Sequence, residues 1–304
     1  LTPYLAFASS PWNVDISAAP ADAHSADIIA WMKADASQLN LNLSGVNGTG
    51  AWGTPIYWAA TTDIAYNVRP SDGGNCGKLP PEFASVRIPN GAKPSIDTDA
   101  HMVVFDAAAG MVYSFWRAAV TQSPTPSVVT DSTIWTTCQG AVYYLASNGL
   151  AGSLPESNEA RNQGHRGLAP SVFAVRKDET DFGTIAHALR MLVNTTKAAH
   201  VFPMSGDEGG TTATYAPPEG TRVRIKASVD LAARGLAGAA LVVGTALKTY
   251  GAVIGDQNSG PPSIMVENGV AETGSNIWAG VLTPTSLKAI TLDDFEVVQL
   301  GYGA

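Results

Sequence analysis

The stretch DTDAHMVVFD sets Asp97, Asp99 and His101 two residues apart, directly before an apolar alternation. On an extended chain, residues two apart share a face. Asp99 and His101 would then stand side by side in a cleft. A carboxylate beside an imidazole shifts both pKa values, and either group can move a proton. The competing reading is a polar turn whose aspartates cap backbone amides. A metal site needs a third ligand, and nothing nearby in the sequence supplies one. A second carboxylate comes from YGAVIGDQNSG, where Asp256 and Asn258 follow a short strand into a Gly-rich loop. Loops of this kind carry functional polar groups as often as plain turns. In a glycoside hydrolase two carboxylates flank the scissile bond, one as acid and one as base or nucleophile. Asp99 and Asp256 are the candidates for that pair, with His101 tuning Asp99. Glu179, in VRKDET, stands in reserve, although a salt bridge is its plainer role.

Three further stretches bear on substrate. In RVRIKASVD, Arg222, Arg224 and Lys226 share one strand face and Val223, Ile225 and Ala227 the other. The apolar side must meet the core, so the cations meet solvent or an anionic ligand such as an acidic glycan. Arg224 and Lys226 are therefore candidate substrate contacts. His187, in TIAHALRML, is a candidate acid or base; the plainer reading is a satisfied core histidine. A lyase would use His187 or Tyr250 as base, with Arg224 neutralising a uronate. Aromatic rings stack on sugar faces, and Trp12, Trp52, Trp58, Trp116, Trp135 and Trp278 lie in or beside strands and loops. Trp116, Tyr250 and Asn258 join the candidate substrate contacts.

The elements that must position these groups are mostly strands. GTPIYWAA (53–60), FASVRIP (83–89), HMVVFD, MVYSFWRAA, AVYYLAS (141–147), 183–193, 198–204 and 221–230 read as strands. Residues 183–193 and 198–204 are expected to pair, and 148–170 is expected to be a long irregular loop. SADIIAWMKADASQL (25–39) reads as a helix capped by Ser25, and 236–251 as a helix stopped by Gly251. Helices do not alternate with strands, which disfavours a doubly wound sheet. The expectation is one mainly β domain over residues 1–304, a two-sheet, jelly-roll-like sandwich with a few peripheral helices.

Composition narrows the function. The chain has 304 residues, 18 cations, 26 anions and a net charge of −8. That balance disfavours nucleic acid, since few cations are left to displace phosphate counterions. No apolar run reaches ~18 residues, so no membrane span is expected. Charged residues make up only 14% of the chain. Together with a start at Leu1, this suits a secreted protein freed of its leader. Cys76 and Cys138 are expected to pair, as cysteines of exported proteins do. Asn42, Asn47 and Asn194 open glycosylation sequons, relevant only in a eukaryotic host. GxSxG, P-loop, HExxH and helix-opening GxGxxG motifs are absent. No cofactor is implied, and a structural calcium stiffening a loop is left open.

The ordered blocks SPWNVDIS, GTPIYWA, DTDAHMVVFD, GTIAHALRM, PPEGTRVRIKASVD, ALKTYGAVIGD and DDFEVV resemble a group of secreted microbial proteins that share them over nearly their whole length. Members of that group often read Asp-Asn-Gly-Ser where this chain has GDQNSG. The resemblance implies export and a carbohydrate-active β-sandwich, and assigns no reaction. The expectation is a secreted glycoside hydrolase acting on an extracellular polysaccharide. A polysaccharide lyase and a non-catalytic glycan-binding or structural sandwich are the alternatives.

Overall fold

The computed structural model describes residues 2–35, 39–71, 76–121, 133–150, 164–169 and 172–303. Ten strands build its two principal sheets: β1 (Asn42–Ser44), β2 (Ile56–Trp58), β3 (Met102–Asp106), β4 (Met111–Trp116), β5 (Gln139–Tyr144), β6 (Leu189–Val193), β7 (Arg222–Ile225), β8 (Ala252–Gln257), β9 (Ser263–Met265) and β10 (Phe295–Val297). One sheet has the order β1-β9-β6-β8-β7-β10 and the other β5-β4-β3-β2. The helices are α1 (Ser25–Lys33), α2 (Lys177–Phe182), α3 (Gly238–Thr249) and α4 (Gly269–Thr273). The fold is thus mainly β, two packed sheets with a few peripheral helices. It also contains parallel pairs, β6 with β8, β1 with β9 and β2 with β3, which strand spacing alone does not reveal.

Alternation explains the layers. From the larger sheet, Leu189, Met191, Val223, Ile225, Ala252 and Ile254 pack on Ile28, Met32, Val243 and Leu247 of α1 and α3. The opposite face, with Val253 and Met265, meets Ile56, Val103, Phe105, Val112 and Tyr143 of the smaller sheet. Behind the smaller sheet lies a third core of Val104, Tyr113, Phe115 and Val142 with Tyr66, Phe83 and Ile88. Burial on both sides is why β3 reads as an unbroken apolar run. Gly251 sits just past α3 with φ 69°, where a Cβ would lie 2.4 Å from the Val223 carbonyl oxygen. Only glycine fits that helix stop.

Several local expectations change. The first helix ends at Lys33, and residues 36–38 of its expected span lie outside the described residues. Ser25 is its first residue rather than its cap, and its Oγ accepts from Val297 N instead. The strand expected over 183–193 begins at Leu189, leaving His187 ahead of it. Lys197–His200 pairs with Pro218–Glu219, not with β6. Glu179 lies in α2, not at a strand edge. Of the loop expected over 148–170, residues 151–163 and 170 lie outside the described residues.

The cationic face of β7 is also not open. Residues 11–16 cross over it, and the Arg222 guanidinium donates to the carbonyls of Pro11, Trp12, Val14 and Tyr250. Arg224 donates to Glu296 at 2.8 Å and to the Ile16 carbonyl. Lys226, past the strand end, donates to the Asp293 carbonyl at 2.8 Å. A desolvated guanidinium is stable only when its donors are used, and here the N-terminal segment uses them. Cys76 and Cys138 form a disulfide across 62 residues.

A pair of glutamates ties α4 to the smaller sheet. Glu272 accepts from Ile56 N at 2.5 Å and Glu267 from Lys177 N at 2.6 Å. The two carboxyls bond each other, and burial together with the Glu267 charge pushes Glu272 up to about 10. Unfolded, this acid would ionise in the ordinary carboxylate range. Its contribution is therefore complete at low pH and is lost as pH rises towards about 10. The slope is at most about 1.4 kcal/mol per pH unit for one proton. Denaturant unfolding from about pH 5 to about pH 9 is expected to show the wild type losing stability and Glu272→Gln holding a flatter profile. Parallel profiles would contradict the shared proton.

Candidate functional site

The turn before β3 is set by Asp97, not by strand alternation. Its carboxylate accepts from Asp99 N at 3.1 Å, Ala100 N at 3.2 Å and Trp52 N at 2.7 Å, and also from the Ser95 hydroxyl. Asp97 is thus a capping residue, as the plainer reading held. The turn delivers Asp99 to His101, with Nε2 to Oδ2 at 3.6 Å, and to the Trp116 indole N–H at 3.2 Å. Both contacts favour the charged form, His101 most strongly, and hold the Asp99 carboxyl below its ordinary value.

Asp256 reaches the same region through a bulge. β6 and β8 run in register from Leu189 opposite Ala252 to Met191 opposite Ile254; then Leu192 lies opposite Asp256, with Gly255 the extra residue. Strict alternation would send Asp256 after Ile254 towards the helices. The extra residue instead turns it onto the face shared by Arg190 and Leu192, between the sheets. A Cβ at Gly255 would meet the Leu168 side chain at 2.5 Å. Asp256 then accepts from Arg190 and, at 3.2 Å, from Arg166. Arg166 also donates to Glu219 at 2.8 Å and lies 3.5 Å from Glu208.

Glu219 is fully buried and receives Glu208 N at 3.2 Å, which fixes the backbone of that loop. The Glu208 side chain bonds to the Asp256 carboxylate. Burial and then the Asp256 charge push the Glu208 carboxyl up. Asp256 is also close enough to Asp99 to act on it electrostatically. Asp256 thus stands beside a carboxyl pushed up, Glu208, and acts on a carboxyl held down, Asp99; the carboxyls of acid/base pairs are displaced in this opposed sense. Asp99 and Glu208 are each 37% exposed at the side chain, so substrate atoms can reach them.

Backbone strain concentrates here. Ala100 (φ 40°), Arg117 (φ 53°) and Arg166 (φ 57°) are non-glycine residues in the left-handed region. Each such residue costs about 1–3 kcal/mol and persists only where surrounding bonds hold it. Arg117 N donates to Asp99 O at 2.7 Å and Ala118 N to Ala100 O at 3.1 Å, locking the two strained loops together.

The other sequence candidates lie elsewhere. His187 is buried, with Nε2 3.0 Å from Glu179 and Nδ1 2.7 Å from the Ala188 carbonyl. Arg176 completes that pair, 3.1 Å from Glu179. This group precedes β6, whereas Asp256 pairs near the far end of it, and a strand rises about 3.3 Å per residue. Arg224 and Lys226 are engaged as described. Tyr250 caps α3, and its carbonyl receives Arg222. Asn258 organises its own turn, bonding the Pro261 carbonyl and Gly260 N. Trp12, Trp135 and Trp278 are core, Trp52 and Trp58 are exposed, and Trp116 is half-buried beside Asp99.

Glu208, Glu219, Arg166 and Arg190 were not among the sequence candidates. Arg190 carried a usable signal: a cation between Leu189 and Met191 in an apolar strand must find a carboxylate. Among the described residues no group of three or more His, Cys, Asp or Glu could hold a metal ion. No helix among them is long and apolar enough to cross a membrane. No family model, curated protein or solved structure matches the chain.

Removing the Asp256 charge leaves the buried Arg190 beside a neutral amide. Asp256→Asn is expected to lose about 3 kcal/mol in denaturant unfolding. A loss under about 1 kcal/mol, the size of a solvated ion pair, would contradict the clamp.

Proposed function

We propose that the protein is an extracellular carbohydrate-active enzyme that hydrolyses glycosidic bonds of a polysaccharide. Glu208 acts as the proton donor and Asp99 as the ionised base or nucleophile. What supports this reading is the opposed displacement of two part-exposed carboxyls that both feel Asp256, Glu208 upward and Asp99 downward. After burial, Asp256 pushes the Glu208 carboxyl up by its negative charge. It is itself held by Arg166 and Arg190, which makes it a positioning residue rather than one of the flanking pair. Trp116 supplies a half-buried ring beside Asp99, with the Arg117 guanidinium over it. The disulfide is compatible with export.

A lyase working through His187 has less support, because that ring is buried with Glu179. A non-catalytic glycan-binding sandwich is the second reading. The density of ion pairs around Arg166 favours it, since such networks also serve structure alone.

Reducing-end release across a polysaccharide panel tests the choice. The wild type is expected to cleave at least one polymer, and Glu208→Gln to lower that rate by about 10²–10⁴-fold without losing the fold. kcat/KM is expected to rise with pH as Asp99 ionises, below the ordinary Asp value, and to fall as Glu208 ionises, above the ordinary Glu value. Cleavage by Glu208→Gln at the wild-type rate would overturn the assignment. Binding of the same polymers without cleavage would favour the second reading.

A further inference from the structure

We infer that the substrate is an anionic glycan and that Arg117 recognises its uronate carboxylate; this rests on the hydrolase reading of the same site. Arg117 is exposed, and its guanidinium carbon lies 4.3 Å from the centroid of the Trp116 ring. Among the described residues no carboxylate pairs with it, whereas Arg166, Arg190 and Arg224 all have carboxylate partners. In a chain of 26 anions and 18 cations, a cation left without one beside a carboxylate-rich site is available to an anionic ligand.

The geometry also prepares it. Trp116 uses its indole N–H to orient Asp99 and its ring face to hold the Arg117 guanidinium. A guanidinium stacked on an aromatic face keeps its donors free in the plane, a fork matched to a carboxylate. Its backbone is held in the left-handed region by the bond from Arg117 N to Asp99 O. The recognising cation and the ionised catalytic group are thereby fixed to each other through one indole and one peptide. A uronate at this position would place its carboxylate on Arg117 and its ring near Trp116, with the adjoining glycosidic bond towards Asp99 and Glu208.

The experiment compares polygalacturonate and alginate with their carboxyl-reduced forms, which keep the linkages and lose the charge. Cleavage and binding are measured for the wild type, Arg117→Ala and Arg117→Lys. The expected result is a preference of about tenfold or more for one charged polymer over its reduced form, expressed mainly in KM. Arg117→Ala is expected to bring that ratio near one, and Arg117→Lys, which keeps the charge and loses the fork, to fall between. Charged-polymer binding that depends on Arg117 but occurs without cleavage would support the uronate contact and overturn the hydrolase. Equal cleavage of charged and reduced polymers, or a preference unchanged in Arg117→Ala, would overturn the uronate contact and leave the hydrolase standing. A wild type that neither binds nor cleaves charged polymers would overturn the inference by itself.

Discussion

The structure turns on one carboxylate held between two guanidiniums. Asp256 meets Arg190 from the neighbouring strand and Arg166 from a turn 90 residues away. Arg190 is buried, and a buried guanidinium needs a carboxylate of this kind. The contact exists because one extra residue, Gly255, turns Asp256 to the inner face of the larger sheet. That single change of register converts an alternating apolar strand into the anchor of a polar site.

The consequences spread outward by electrostatics. Burial, and then the Asp256 charge beside it, make Glu208 resist ionisation. With Glu219 fully buried under Arg166, the Glu208 backbone has a carboxylate to donate to and cannot drift. His101 and Trp116 favour the ionised form of Asp99. The asymmetry between the two outer carboxyls is thus a product of their surroundings and not of residue type. The strained backbones of Ala100, Arg117 and Arg166 sit at the same place, where hydrogen bonds across the loops hold them.

Much of the scaffold was legible in the chain. The hairpin of β3 and β4 followed from alternation around Ala-Ala-Gly, and the stop of α3 from Gly251. The disulfide followed from a lone pair of cysteines. Asp99, His101 and Asp256 stand out in the sequence, and of the two readings it allows for the first stretch, a shared strand face and a polar turn, the bonds of Asp97 make the turn. What stayed hidden depended on distant partners. Glu208 carries no reading from the sequence, because Asp256 and Glu219 reach it from 48 and 11 residues away. Arg222 and Arg224 looked like an open cationic face because nothing local shows that residues 11–16 will cover them. A bulge in a parallel pair likewise leaves no local signature beyond a glycine.

The most direct test of this account is a site-resolved titration of the carboxyl groups by carbon NMR, with Asp99→Asn and Glu208→Gln used for assignment. The expected result is an Asp99 transition below the ordinary aspartate range and a Glu208 transition above the ordinary glutamate range, the latter falling back when Asp256 is made neutral. Two unremarkable titrations, or a Glu208 curve indifferent to Asp256, would contradict it.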